Sequence, residues 1–571
     1  MRAIIRYAVR RFLPAGLGAA LLVPLTTAQE PQPPEKAVGN AFTRMVYGNF
    51  QAPSVRGVDT GADGGLDAMV RDGILRLTED DAVRLALENN IDINVERFGP
   101  YFSLWGIEKS RAALEPTLGF TANVNRNVTP SSSLLQGATL AFSLATTYNV
   151  DYTKPFEQGL DLSVQFNTQR VRVNSVFTAF NPSHTSVFNI SATQHLLKDF
   201  GSAVRGRFLR IARNNYSMSE EEFAARVTDV LTTVLLTYWE LVYADEDIKV
   251  KEASRKLAEV ILEQNKLQAQ VGTMSDLDVV QAEAEVATRT EQLVVARSNR
   301  RLAEDQLKKL ISSRPDPGLA AATIEPASRP DSPPSVTRPL AEAIASALEK
   351  RPEMKRQLLD LENKKINLRY TSNQLRPILD FTGGFTMNGL GGDLLIRDAS
   401  GGIFDAPVVG IRPGGFWDSI DSLSTRKYLG YVLGMTFRLP IGNSDARASN
   451  AQAQIDLKQG DERLRSLKQQ IALDVRQAYE NVDTSRARLD TAEVTVRYSQ
   501  RKLQGEQDKY GMGATTTRFV LEAQRDLQDA QTRFLRAKID LIKNRVNLDK
   551  AVGETLPAHN IEVKKALGEL R

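Results

Sequence analysis

Apolar residues recur every seven positions in two proline-free segments, 275–311 and 516–552. A sustained seven-residue period predicts helices that pack against a neighbour as a left-handed coiled coil. Eight of ten seam positions are apolar in the first segment and nine of ten in the second. The seam positions are Val279, Ala282, Val286, Arg289, Leu293, Ala296, Arg300, Ala303, Leu307 and Leu310, and then Val520, Ala523, Leu527, Ala530, Phe534, Ala537, Leu541, Asn544, Leu548 and Ala551.

Each of these segments follows a longer stretch without proline, about 205–271 and about 446–510. At 1.5 Å per residue, each stretch predicts a helix of about 100 Å. Gly272 and Gly513 end the two stretches, so that the following helix folds back along the first. The remaining helix faces are charged, which predicts contact with water. A hollow tube of helices and a solid antiparallel coiled-coil hairpin both fit this pattern.

Other segments alternate apolar and small polar residues with period two, which predicts strands. A soluble sandwich would turn the apolar face inward, whereas a membrane barrel would turn it towards lipid, and the alternation alone fits both. A Gly/Asp-rich segment at about 390–426 is expected to be an exposed loop. The predicted strands lie near 118–124, 160–166, 187–192, 379–387 and 429–439.

The chain contains an internal repeat. Residues 81–122 align with 342–383 at an offset of 261, and the helical segments align at an offset of 241. Each half therefore has the order helix, strands, very long helix, helix. The first half has 20 more residues between its matched blocks, which predicts an extra hairpin or a long surface loop. A two-fold repeat of this kind favours a shape built by symmetry.

The repeat and the local composition divide the chain into six parts. Four arginines precede an apolar run that ends before Ala28, which predicts a cleaved signal peptide. The parts are the signal peptide, 1–28; an extended or disordered lead-in, 29–75; a first repeat, 76–311, with strands at about 117–194 and a helix hairpin at about 205–311; a proline-rich linker, 312–339; a second repeat, 340–555, with strands at about 379–440 and a helix hairpin at about 446–552; and a tail, 556–571.

The composition excludes several classes of function. There are 73 basic and 69 acidic residues, and the four arginines of residues 1–28 account for the net charge of +4. The chain therefore lacks the basic excess of a nucleic-acid-binding protein. It has no cysteine, and its three histidines, His184, His195 and His559, show no metal-ligand spacing. No nucleophile elbow, P-loop or dinucleotide motif occurs. We expect no catalysis, cofactor or bound metal.

Short stretches in a specific order resemble the TolC family of outer-membrane channels. They are Leu77–Asn90, Thr237–Val242, Val271-Gly272 with Asp278-Val279, and Tyr510–Gly513 with Val520–Ala523. The resemblance spans roughly 75–555. It implies a mainly α fold with β, in which long antiparallel coiled-coil helices form an α-barrel. It also implies that the strands of three identical chains build one shared outer-membrane β-barrel.

The resemblance implies partners and a site as well. The partners are a periplasmic adaptor (membrane fusion) protein, an inner-membrane pump and outer-membrane lipid. The two helix–helix turns would be the periplasmic tip, where the family docks its adaptor. For the turn glycines, ordinary helix capping is the alternative explanation, and both can hold. The tip residues are Val271, Gly272, Thr273, Met274, Gly511, Met512, Gly513 and Ala514.

The resemblance places a channel gate just inside this tip. Asp278 and Glu522 match the acids of the family's gate, and Tyr510 matches a gate tyrosine. Thr515 stands where the family has an arginine and Phe519 where it has an acid, so Arg518 is a candidate substitute. For the two acids, a solvated helix face is the alternative. A further departure is His195, which replaces the proline that the second repeat keeps as Pro440 at the switch from strand to helix.

These observations favour a passive duct for export across the periplasm and outer membrane, as the exit of a tripartite efflux pump or a type I secretion system. The alternative is a periplasmic coiled-coil adaptor or scaffold, which would need one hairpin and one compact β-domain. The duplication with strands in both halves, and the predicted signal peptide, favour the duct. The substrate and the partner pump are not specified by the sequence.

Overall fold

The computed structural model describes residues 50, 52, 69–131, 139–175, 177–313, 319, 321–330, 338–398 and 407–562. The predicted signal peptide lies outside the described residues, as does most of the predicted lead-in. The chain divides into the units Met1–Gly57 and Val58–Arg571. Only residues 50 and 52 of the first unit are described, and the second unit is the subject below.

The second unit contains two very long helices, α4 and α9, each followed by a returning helix, α5 or α10. None of the described helices is long and apolar enough to cross a bilayer. The helices are α1 Glu79–Asn89, α2 Ile91–Arg111, α3 Ser202–Arg205, α4 Arg207–Gln270, α5 Asp276–Ile311, α6 Leu340–Lys350, α7 Pro352–Gln374, α8 Phe416–Ser424, α9 Ser444–Gly511, α10 Thr517–Val552 and α11 Thr555–Ala558.

The strands form one small and one large sheet. The small sheet has the order β1-β2-β7, and the large one has the order β10-β8-β6-β5-β4-β3, with β9 paired to β8. The strands are β1 Val70–Arg71, β2 Ile74–Leu77, β3 Thr117–Pro130, β4 Leu140–Pro155, β5 Leu160–Val173, β6 Phe180–His195, β7 Thr323–Pro326, β8 Ile378–Arg397, β9 Val408–Arg412 and β10 Leu429–Arg438. The mainly helical fold with strands is confirmed.

Helix α4 lies between two sets of neighbours. On one side of α4, α5 packs along the half near the helix–helix turn and α2 along the half near the strands. On the other side, α10 packs near the turn and α7 near the strands. Ion pairs mark the α4–α5 contact, Glu252–Arg297 at 2.8 Å, and the α4–α10 contact, Glu240–Arg536 at 2.9 Å. Side-by-side packing of this kind makes a wall of helices rather than a bundle around one core.

Helix α9 lies at the free side of this wall. It packs on α10 and α7, and Lys502 pairs with Asp526 of α10 at 2.7 Å. The order across the wall is therefore α5, α4, α10 and α9 near the turns, and α2, α4, α7 and α9 near the strands. The two outer members of this row, α5 and α9, each have a side that no other described helix of the chain covers.

The predicted coiled-coil seams are buried or half-buried, but the prediction that the other helix faces are charged is wrong for α5. Five valine and leucine side chains of α5 are more than half exposed away from its seam. A seven-residue count identifies the side that packs on α4, but it says nothing about a second apolar stripe. The exposed residues are Leu277, Val280, Val294, Val295 and Leu302.

A hydrophobic core lies where the small sheet, α1 and α4 meet. Leu75, Leu77 and Tyr238 are fully buried there. The Tyr238 hydroxyl donates to the Leu77 carbonyl oxygen at 3.0 Å and accepts from the Ser328 amide at 3.2 Å. Strand β7, within the predicted linker, pairs parallel to β2. The chain between the repeats is thereby fastened to the first repeat.

The large sheet has one apolar and one polar face. A row of paired positions crosses all six long strands through Phe120, Val150, Phe166, Phe188, Met387 and Leu429. The adjacent row on the opposite face reads Gly119, Asp151, Gln165, Asn189, Thr386 and Gly430. Side chains alternate between faces along a strand, so this register keeps these two rows on opposite faces of the sheet from one edge to the other.

The strand predictions missed β4 and misassigned the segment at about 390–426. Of the two explanations for the longer first repeat, the structure has the extra hairpin, because β3, β4, β5 and β6 pair in sequence. The predicted loop at about 390–426 is wrong in large part, since β8 continues to Arg397 and β9 and α8 follow. Helix α8 packs on the sheet through a hydrogen bond of 2.8 Å between the Ser419 and Ser186 hydroxyls. Gly389 and Gly391 leave the space that this helix needs.

The switch from β6 to α4 is held by side chains rather than by proline. The His195 ring places Nδ1 2.6 Å from Asp380 and Nε2 3.1 Å from Asp161. Arg205 donates twice to the same Asp161 carboxylate, at 2.7 and 3.2 Å. Because carboxylates accept at both ring nitrogens, the ring donates from both nitrogens as an imidazolium. This cluster joins β5, β6 and β8 to the start of the helical region.

Candidate functional site

The two helix–helix turns have the same backbone geometry. Gly272 and Gly513 lie in the left-handed region, at φ 76° and 72°. In the first turn the Thr273 amide donates to the Gln268 carbonyl at 3.0 Å, and in the second the Ala514 amide donates to the Lys509 carbonyl at 2.8 Å. These bonds close each helix with a glycine cap. Glycine is needed at both turns because other residues rarely adopt this conformation.

Apolar side chains are exposed at the two turns. Val271 is 73% exposed and Met512 is 75% exposed, although each adjoins the polar end of a helix. The predicted tip residues Thr273, Gly511 and Ala514 are exposed as well, and Met274 is half-buried. The end of each hairpin thus presents a small surface with little charge. Such a surface is suited to contact with another protein.

Tyr510 lies in a hydrogen-bond network that joins the two repeats. Its hydroxyl lies 3.2 Å from Asn265 Oδ1 and 3.2 Å from Gln268 Oε1, both on α4. Thr517 of α10 donates to the same Asn265 oxygen at 3.3 Å. The Asn265 amide nitrogen donates to the Asp278 carbonyl oxygen at 3.3 Å. One fully buried amide therefore connects α4, α5, α9 and α10.

Sequence reasoning identified Tyr510 but missed its partners. Asn265 lies four residues after the buried Ile261, on the side of α4 that packs inward. A polar residue at an otherwise apolar seam position is the signal that could have found it. Gln268 is one turn further along the helix. No periodicity indicated that Thr517, the first residue of α10, would complete the network.

The other predicted gate residues are not brought together within one chain. Among the described residues, Asp278, Arg518 and Glu522 form no side-chain hydrogen bond or ion pair with one another. Asp278 is half-buried, Arg518 and Glu522 are exposed, and the Phe519 ring is 52% exposed. These side chains are therefore available to a neighbouring chain or to solvent.

Thr515 has a partner that the sequence did not indicate. Its hydroxyl donates to Glu506 at 3.3 Å, and Lys509 pairs with the same carboxylate at 2.7 Å. The Lys509 ammonium lowers the pKa of Glu506 from its ordinary value, with the Thr515 hydroxyl adding to the effect. Thr515 thus belongs to the second turn alone, whereas Tyr510 connects the two turns.

A second buried polar group lies further along the helices. Arg289 is 2% exposed, and it donates to the Ser254 carbonyl at 2.8 Å and to Gln524 at 3.1 Å. Glu285 on the same helix pairs with it at 2.9 Å. This group also joins α4, α5 and α10. Replacing one member of such a group lowers the stability of the fold, because a buried charge or amide is then left without a partner.

Metal-binding clusters of His, Cys, Asp or Glu do not occur in the part of the chain that the structure describes. The chemistry of the turn region is that of the neutral Tyr510 network, the Glu506–Lys509 ion pair, two acids without an ion-pair partner among the described residues, and exposed apolar side chains. Such groups can hold two hairpins together, attract cations and contact protein.

Comparison with known proteins gives a consistent family. The family model described as "Outer membrane efflux protein" matches residues 159–313 and 343–554. Outer membrane protein TolC of Escherichia coli (strain K12) is 26% identical over 335 residues, which cover 57% of this chain and 62% of that protein. Outer membrane protein TolC of Salmonella enteritidis is 23% identical over 346 residues, 60% of this chain and 65% of that protein. The chain thus matches less than two thirds of the length of these relatives.

Solved structures show the same fold. The Campylobacter jejuni CmeC outer membrane channel superposes with a TM-score of 0.56 at 17% identity, covering 91% of this chain and 98% of that one. The outer membrane protein VceC of Vibrio cholerae gives a TM-score of 0.57 at 14% identity, covering 83% and 96%. At these identities the likeness concerns the fold alone.

Proposed function

Because the chain belongs to the outer membrane efflux protein family, we propose that three copies form a passive exit duct for a tripartite efflux pump or a type I secretion system. The observation that carries this proposal is the large sheet, which has an apolar and a polar face and continues into a wall of long helices. In a closed ring, the apolar face meets lipid and the polar face lines a water-filled pore.

Uncovered surfaces on both sides of the wall support assembly with identical copies. One side consists of β3, α2 and α5, and the other of β10 and α9. The first side exposes apolar residues such as Phe102 and Val294, and the second exposes Leu473 and Tyr498. Burying such residues against a neighbouring copy stabilises assembly by about 25 cal/mol for each Å² removed from water.

The Tyr510 network supports a gate between the hairpins of one chain. Opening the tip requires the second hairpin to move away from α4, which breaks the bonds from Tyr510 and Thr517 to Asn265. Each neutral bond contributes about 1 kcal/mol, so the closed state is favoured modestly and a partner can shift it. Asp278 and Glu522, each present three times in the trimer, would give the constriction its cation preference. Phe519 and Arg518 would lie beside them, and Thr515 would hold the second turn.

The exposed turns support docking of a periplasmic adaptor protein. Val271 and Met512 are the largest exposed apolar side chains of the two turns, and the flanking glycines allow another helix to approach closely. A helical hairpin of a partner would fit between such turns with its apolar residues on this surface. The inner-membrane pump supplies the energy for transport in this proposal. The predicted signal peptide, 1–28, would direct export to the outer membrane.

Bilayer recordings test the duct and its gate together. The double variant Asp278→Ala/Glu522→Ala is expected to lose cation preference in single-channel currents. Asp529→Ala is the matched control, because Asp529 is an exposed acid two turns further along α10, and it should leave the preference unchanged. Currents of the double variant identical to those of the unmodified protein would contradict the gate.

Cell fractionation separates the duct from the alternative, a periplasmic adaptor or scaffold. The duct is expected in the outer-membrane fraction, as an oligomer whose migration on gels changes on heating. Release of the whole protein with the periplasmic contents would support the scaffold instead. The sheet weighs against the scaffold, because a soluble protein would not leave apolar residues of one sheet face such as Phe120, Phe385 and Tyr431 exposed.

A further inference from the structure

The large sheet of each chain has six long strands, and its two repeats contribute unequally. The first repeat supplies β3, β4, β5 and β6, whereas the second supplies β8 and β10. The two repeats therefore differ by one β-hairpin. This hairpin is not an appendage, because β4 and β5 are paired along 13 consecutive positions and lie inside the sheet.

Both edges of this sheet are long. Strand β3 has 14 residues and pairs only with β4, and β10 has 10 residues and pairs only with β8, among the strands that the structure describes. In a bilayer, each backbone N–H or C=O without a partner costs several kcal/mol. The two edges therefore require partners, and the apolar Phe120 and Tyr431 on them are 68% and 81% exposed.

The strand directions allow β10 of one copy to pair with β3 of the next. Strand β3 follows α2 and runs away from the helices, whereas β10 runs back towards α9. Neighbouring strands are antiparallel across the whole sheet. An even number of alternating strands ends with opposite directions at its two edges. Pairing of β10 with β3 of the next copy therefore continues the antiparallel alternation without an interruption.

The widths of the large sheet and of the helical wall of one chain agree with this closure. Six strands spaced about 4.8 Å apart and tilted by about 40° cover an arc of about 38 Å. Four side-by-side helices at about 9 Å spacing cover about 36 Å. Four strands would cover only about 25 Å, so the pore would narrow where strands replace helices. With six strands, each chain contributes nearly equal arcs to the barrel of strands and to the tunnel of helices.

We propose that three copies close a barrel of eighteen strands by pairing β10 of each copy with β3 of the next, so that the outer pore is as wide as the helical tunnel. This inference rests on the proposed trimeric duct. Barrels of this strand number enclose an aqueous channel. The outer pore therefore sets no size limit of its own, and cargo is selected at the tip.

Disulfide crosslinking tests the pairing of the two edges. The chain has no cysteine, so pairs can be introduced without background. Leu433→Cys in β10 is combined, one at a time, with cysteine at every second residue of β3 from Leu118 to Val128, which all lie on the same face. Oxidation of the outer-membrane protein is expected to give linked dimers and trimers for one or two neighbouring positions. Leu433→Cys with Val164→Cys is the control, because β5 lies inside the sheet.

Electron microscopy of the full chain in lipid nanodiscs tests the strand number. The expected barrel has eighteen strands and a diameter about 1.5 times that of a deletion variant lacking residues 132–175, in which β3 would lead directly into β6. If the variant does not fold, the strand count of the unmodified protein is sufficient as the test. A trimer whose barrel has twelve strands, or in which no β3 position crosslinks to β10, would overturn the inference but leave the duct standing. Absence of any oligomer would instead contradict the proposed duct.

Discussion

The two repeats have nearly the same helices but different strands. Helices α4 and α9 have 64 and 68 residues, and α5 and α10 have 36 each. Of the six long strands of the large sheet, four come from the first repeat and two from the second. Helix length is constrained because the ends of the two hairpins are joined by the hydrogen bonds from Tyr510 to Asn265 and Gln268. A sheet accepts an extra hairpin more easily, because each added strand repeats the same pairing.

Equivalent positions near the two helix–helix turns also carry different residues in different environments. At the offset of 241, Asn265 corresponds to Glu506 and Ala269 corresponds to Tyr510. Asn265 is buried because α4 has neighbours on both sides, whereas Glu506 lies on α9, which has one free side. The place of a helix in the wall therefore decides whether an equivalent position carries an amide or a charge.

The largest expected difference between the repeats concerns an equivalent pair of tyrosines. Tyr238 is fully buried, whereas Tyr479 is half-buried and its hydroxyl donates to the Arg338 carbonyl at 2.9 Å. Tyr238→Ala is expected to lower the free energy of unfolding by about 3–5 kcal/mol because it leaves a cavity. Tyr479→Ala should cost about 1–2 kcal/mol. Guanidinium unfolding followed by helical circular dichroism measures both, and equal losses would contradict the asymmetry.

The switch between strand and helix gives the second comparison. His195→Ala leaves Asp161 and Asp380 facing each other without the cation between them, and we expect it to cost about 2 kcal/mol. Pro440→Ala in the second repeat should cost under about 1 kcal/mol, because that proline is exposed. The heating temperature at which the oligomer dissociates on gels reports the difference. A larger effect of the proline variant would show that the histidine cluster does not hold the switch.

The tip network gives a smaller effect. Tyr510→Phe removes the hydroxyl that bonds to Asn265 and Gln268, and we expect a loss of about 1 kcal/mol in the closed state. The ratio of open to closed channels should rise about fivefold in bilayer recordings. Tyr498→Phe is the matched control, since Tyr498 lies on the same helix and is 61% exposed. A similar rise with the control would remove the network from gating.

The smallest expected effect concerns the contact between the repeats. Burial acts to raise the pKa of Glu240, but Lys543 and Arg536 outweigh it and lower the pKa overall. The equivalent residue in the second repeat is Asn481. The carboxylate therefore adds stability above its unfolded pKa, and this is lost as the pH falls through the lower folded value.

Replacing this acid tests the sign of that effect. Because Glu240 is 38% exposed, solvent screens the pairs, and Glu240→Gln should cost only about 0.5 kcal/mol at neutral pH. The difference from the unmodified protein should shrink in acid. Thermal unfolding measured at several pH values follows it, and a difference that grows as the pH falls would contradict the assignment.

Most of the helical region could be predicted from local patterns. Most seam positions from Ala282 to Leu307 are buried as the seven-residue period indicates, and Gly272 and Gly513 follow the ends of the two long helices. These signals are local, since a helix uses hydrogen bonds within four residues and a glycine turn needs only its own conformation. The two-fold repeat and the family resemblance followed from the same residues.

The strands and the site depended on contacts between distant residues. The alternation did not reveal that β6 pairs with β8, that β4 is a strand, or that β8 continues into the predicted loop. It also did not place Asn265 and Thr517 beside Tyr510. The sequence by itself determined the helices, their turns and the two faces of the strands, because these depend on neighbours along the chain. Only the tertiary structure decided the strand count, the order of the wall and the network at the tip, because each requires side chains from both repeats to meet.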